Sequence, residues 1–111
     1  MPCLVPIPLY LLTDTMTVEA PDTSAAYGGA YLKAVTVTNV RFERAEVLNP
    51  NNFRLADGAK GRVWVDAVNS GGAFEVPVNS RVTIDGDTFF VVACAALRPL
   101  GNVHHWELDV R

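Results

Sequence analysis

The chain has 111 residues, 50% of them hydrophobic and 19% charged. That is enough for one domain with a buried core, and it excludes a disordered chain or a coiled coil. The net charge of −3 lacks the basic footprint that nucleic-acid binding asks for.

Residues 1–11 read as a Pro-rich extended arm. Pro2, Pro6 and Pro8 each remove a backbone donor and turn the preceding residue away from helix. The arm is apolar but lacks a basic leading region and is too short to cross a bilayer. A soluble cytoplasmic protein is therefore expected. From Leu12 the pattern alternates, with Leu12, Met16, Val18 and Ala20 on one side and Thr13, Thr15, Thr17 and Glu19 on the other. Asp14 interrupts the apolar side. This is the first predicted strand.

Residues 21–29 have loop composition, ending in Tyr27-Gly28-Gly29. A Val/Thr-rich strand follows at 34–42, where β-branched residues suit a pleated surface. Its apolar side shifts from Val35 and Val37 to Val40 and Phe42. The shift requires a one-residue slip near Asn39, met by a bulge or by two short strands. Turn clusters at 49–52 and 56–61 bracket Phe53-Arg54-Leu55, which fits either a short helical turn or part of a long hairpin loop. Residues 62–68 alternate again and end at Asn69-Ser70-Gly71-Gly72.

The last thirty residues carry the clearest signal. Arg81-Val82-Thr83-Ile84 meets Asp85-Gly86 and then Thr88-Phe89-Phe90-Val91-Val92. Asp-Gly between two β-prone runs marks a type I′ hairpin, whose central residues both need positive φ. Residues 93–97 are the one place where strand could give way to a helical turn. After the break at Arg98-Pro99-Leu100-Gly101-Asn102, a final strand runs from Val103 to Val110. No segment sustains helical periodicity. The expectation is all-β, a small barrel or sandwich of about six strands with long loops and little or no helix, forming a single domain over 1–111.

Few residues invite chemistry. His104 and His105 are adjacent on a strand, so their side chains should point to opposite faces and not chelate one metal. His104 shares its face with Trp106, Leu108 and Val110 and reads as a core histidine. His105 joins Glu107 and Asp109 on a solvated stripe. Cys3 and Cys94 have no metal-like spacing, and Cys94 sits in an apolar run as a small hydrophobe. No nucleophile elbow or phosphate loop is present, and the acidic residues fall in turns or on polar faces. The chain reads as a non-enzyme with no metal or cofactor. Arg41, Arg44, Arg54 and Lys60 are interleaved with Glu43, Glu46 and Asp57, a solvated mixed face. Trp64 lies opposite Val63 and Val65, so both faces of that strand are apolar. Such a strand is either central or covered by an oligomer.

The ordered set of Val40-Arg41-Phe42, Arg62-Val63-Trp64-Val65-Asp66 with Asn69-Ser70, the 82–89 hairpin and terminal His104-His105-Trp106-Glu107-Leu108-Asp109-Val110 resembles the minor capsid proteins of tailed phages and prophages. These are similar to the head–tail connector, or stopper, proteins of siphophages, which also tend to end on a His-His-aromatic-Glu-Leu-x-Val strand. The match covers roughly residues 35–110. Trp106 stands where tyrosine is the more usual residue, and the 49–61 loop is longer than the family pattern.

The resemblance implies a non-enzymatic β-barrel that assembles as a ring at the portal vertex, in the host cytoplasm and then in the virion. Its partners would be portal or adaptor and tail proteins, with no sequence-specific nucleic acid and no membrane. Asp22, Tyr27, Asn51, Phe53, Arg54 and Lys60 are the candidate partner contacts, in loops that would order on docking. A tail-completion or tail-terminator protein is the alternative within phage assembly. A small cytoplasmic ligand-binding barrel is the alternative outside it.

Overall fold

Period-two alternation of apolar and polar residues decides where the strands lie. The computed structural model describes residues 5–23, 30–44, 58–99 and 101–111. Within them, six antiparallel strands close into a barrel: β1 (Asp14–Glu19), β2 (Val35–Arg44), β3 (Gly61–Asp66), β4 (Arg81–Ile84), β5 (Asp87–Leu97) and β6 (His105–Val110). Around the barrel the order is β1-β2-β3-β6-β5-β4, and β4 returns to pair with β1. Two meanders, β1–β3 and β4–β6, are thus joined along both edges, and no barrel strand keeps an open edge. The all-β expectation holds, in its barrel form.

The inward residues are those that alternation selects. Met16, Val18, Val37, Val40, Val63, Val65, Val82, Ile84, Phe89, Val91, Leu108 and Val110 form one buried cluster. Each fully buried aliphatic side chain contributes about 1.5–3 kcal/mol. Val76, on the connection between β3 and β4, is buried with them. β3 is central, flanked by β2 and β6, so its apolar Val63/Val65 face turns inward while Trp64 stays half-buried outside. Gly61 opens β3 because a Cβ there would stand 2.6 Å from Phe42 Cε1 and 2.7 Å from the Glu43 carbonyl.

The slip near Asn39 is a bulge. Asp14 pairs with Val40 but Met16 pairs with Val37, leaving one extra residue on β2, and Asn39 adopts φ +54°. Val37 and Val40 are consequently both buried. Asp14, which breaks the apolar side of β1, has its own task here: its Oδ2 accepts from the Phe42 N–H at 3.0 Å. The 84–87 hairpin has the expected turn, with Asp85 at φ +53° and Gly86 at +80°.

Three expectations need correction. Residues 93–97 stay in β5 and do not become a helical turn, because they pair with 105–109 of β6 across a second bulge between Val91 and Ala93. The arm is not extended throughout: Leu9–Leu11 forms a 3₁₀ turn behind Pro8, where the prolines end and the Leu11 and Leu12 N–H groups bond back to the Pro8 and Leu9 carbonyls. His104 precedes β6 and escapes its alternation, so it is not a core residue.

Candidate functional site

The bulge at Thr38-Asn39 starts a chain of contacts that ends on the arm. Freed from β1, Thr38 exchanges both backbone hydrogen bonds with Gly71, at 3.0 and 3.1 Å. The Ser70 hydroxyl donates to the Asn39 carbonyl and accepts from the Asp66 N–H at 2.9 Å. These bonds pin the loop that follows β3 against the barrel.

Asp66 lies at the end of β3 and is fully buried. Its Oδ2 accepts from the Val68 and Asn69 N–H groups at 2.9 and 2.7 Å, an Asx-type turn that shapes the loop. Its Oδ1 accepts from the Ile7 N–H at 2.9 Å. Asn69 Nδ2 donates to the Ile7 carbonyl at 2.8 Å, so both backbone groups of Ile7 are held by side chains of one short loop. Pro6 and Pro8 have no N–H, and Ile7 therefore supplies the one backbone donor of residues 6–8. His104 Nε2 meets the Val5 carbonyl at 2.8 Å. Arg41 reaches the Leu11 carbonyl at 3.5 Å, a much looser contact.

The arm is thus gripped by its backbone, with Pro6, Ile7 and Pro8 half-buried and the residues on either side of them exposed. Val5 is 77%, Leu9 56% and Tyr10 78% exposed, and Val68 on the gripping loop is 73% exposed. The 3₁₀ turn at Leu9–Leu11 buries no residue and has no side-chain cap.

The histidine pair joins this grip to a charged belt on the outside of β3 and β6. His104 Nδ1 and His105 Nδ1 lie 2.8 Å apart, and His105 Nε2 is 2.9 Å from Glu107 Oε2. The expectation that the rings diverge fails because only His105 belongs to the strand. The two rings thus form a continuous chain of polar contacts from the Val5 carbonyl to the Glu107 carboxylate. Arg62 continues the belt, 2.7 Å from Asp109 Oδ1 and 3.3 Å from Glu107. The Asp109 hydrogen bond is the main reason its guanidinium is held above the ordinary arginine range. On the neighbouring strand Arg41 pairs with Glu43. Among the described residues, no three His, Cys, Asp or Glu side chains converge as a metal site.

Of the sequence-predicted contacts, Tyr27, Asn51, Phe53 and Arg54 lie outside the described residues. Asp22 and Lys60 stand near opposite ends of β2 and are not brought together. The Asp22 N–H bonds the Ala30 carbonyl at 3.0 Å, and the Lys60 N–H bonds the Val110 carbonyl at 2.6 Å. Sequence reasoning missed Asp66 and Asn69. The signal was present, since an aspartate closing a strand ahead of Asn-Ser-Gly is a side-chain-capped turn.

The described residues thus form a small closed barrel with paired surface charges and a backbone-held apolar arm. The sequence profile of the family described as "Minor capsid protein" matches residues 8–110, and the chain belongs to that family. No curated protein and no solved structure matches it. Family membership gives the protein a phage structural role in association with the virion.

Proposed function

We propose that this protein is a head–tail connector component of the stopper type. Copies of it would form a ring at the portal vertex and join the DNA-filled head to the tail. The virion role comes from the family. The observation that carries the finer reading is the exposed apolar arm: Val5, Leu9 and Tyr10 stand in water within six residues of one another in sequence, and a covering protein would bury them. The portal or adaptor protein on one side and a tail protein on the other are the partners this reading names.

Charge supports protein contacts over a grip on DNA. Arg41, Arg44, Arg62 and Arg81 are each paired with a carboxylate, from Glu43, Asp87, Asp109 and Glu19 respectively. A net charge of −3 also lacks the cationic excess that a grip on phosphates draws on.

The test is electron microscopy of heads assembled with and without this protein. A ring of added density at the portal vertex is the expected result. Binding to isolated tails and not to heads would move the assignment to tail completion. Binding to neither would remove the connector reading altogether.

A further inference from the structure

We infer that residues 5–7 of one copy seat in the grip of a neighbouring copy, with the 3₁₀ turn at Leu9–Leu11 as the hinge. The inference rests on the ring reading above and adds to it how adjacent subunits are tied. Three observations carry it.

The contacts holding Val5 and Ile7 are backbone hydrogen bonds to His104, Asp66 and Asn69, and every copy carries both arm and grip. An exchanged arm makes the same bonds as a closed one, so exchange loses none of them. Pro6 and Pro8 stiffen the segment on both sides of Ile7, which lowers the ordering cost of docking it from another molecule.

The hinge is weak where it needs to be. Residues 9–11 bury nothing and lack a side-chain cap, whereas Leu12, the next residue, is buried in the barrel and anchors the swing. Opening the turn lets the chain from Leu12 to Ile7 span at most about 17 Å. The receiving grip must therefore belong to a subunit in direct contact.

In the closed form Leu9, Tyr10 and Val68 remain in water around the grip. Exchange draws two barrels together at this spot and covers those side chains, which tips the balance between otherwise equal forms. The contact is head-to-tail, arm to grip, the heterologous kind that closes into a ring when the rotation between neighbours divides the circle.

The test replaces exposed Val5 with the photo-crosslinking residue p-benzoylphenylalanine in the full chain, keeping its backbone carbonyl. Equal amounts of isotopically light and heavy protein are assembled on heads, irradiated and digested. Cross-links from position 5 to the peptide containing His104 are then read by mass. Complete exchange predicts that about half of them join a light to a heavy chain. Asn69→Ala removes the bond from Nδ2 to Ile7 and leaves the barrel intact. That bond is lost from closed and exchanged arms alike, so the total yield of position-5 cross-links should fall about fivefold while the mixed share stays near one half.

A ring whose position-5 cross-links all stay within one isotope overturns arm exchange and leaves the connector reading standing. Absence of any ring on the heads overturns both.

Discussion

Replacing Asp66 by alanine removes the acceptor of three backbone N–H groups at once, those of Ile7, Val68 and Asn69. A buried donor left without a partner costs about 1–3 kcal/mol, and the loop and arm can recover only part of that from water. Asp66→Ala should therefore lower stability by about 3 kcal/mol in urea unfolding. Asp66→Asn keeps one carbonyl acceptor and should fall between. Equal stability of all three proteins would mean that the buried carboxylate does not organise the loop. Cys94 is the opposite case, a residue with little to lose. It packs against the core, and burial pushes its thiol above the ordinary cysteine range. The sign follows directly: at neutral pH less thiolate is present than in a free cysteine, and thiolate is the reacting form. In a Cys3→Ser background, Cys94 should react with a disulfide reagent more slowly than a model thiol. Addition of denaturant should bring the rate up to that of the free thiol. Fast reaction of the native protein would contradict the half-buried position.

The bulge in β2 is where local backbone conformation reaches the candidate site. Asn39 holds φ +54°, a region that costs a β-branched residue about 1–2 kcal/mol and glycine almost nothing. Asn39→Val should lower the melting temperature and loosen the loop docked on Thr38 and Asn39. Asn39→Gly should leave it close to wild type. If valine is tolerated as well as glycine, the bulge has moved. This element was legible in the sequence because its apolar residues change faces between Val37 and Val40, and a strand cannot do that without an extra residue. The bulge in β5 was not legible. Residues 91–97 are apolar at every position, so alternation carries no phase there and a slip leaves no trace. The hairpin at Asp85-Gly86 was legible because its turn chemistry is local. The grip on the arm was not: Asp66 meets Ile7 across 59 residues of sequence, and no local pattern reports that approach. The histidine pair was misread for a smaller reason, a strand that begins at His105 and not before it.

Closure of the barrel restricts how the whole molecule can bind anything. With β4 paired to β1 and β3 to β6, the sheet offers no edge to which a partner could add a strand. Contacts of the barrel with any partner must then run through loops, outward side chains and the arm. The outward side chains of β3 and β6 are largely occupied with one another, through Arg62, Glu107, Asp109 and His105. The apolar arm is one uncommitted surface among the described residues, beside exposed Leu32, Val35, Val78 and Phe90. Leu9 and Tyr10 contribute little to the fold, since the turn that carries them buries no residue. The double substitution Leu9→Ser with Tyr10→Ser should accordingly change unfolding free energy by no more than about 0.5 kcal/mol, as surface changes do. Under the connector reading the same variant should bind heads at least about tenfold more weakly, because interface anchors of this size are worth more than 1 kcal/mol each. Reading both quantities on one preparation separates a folding defect from a binding defect. A variant that binds heads like wild type would leave the arm without a role in attachment. A variant that unfolds would mean that the arm belongs to the core after all.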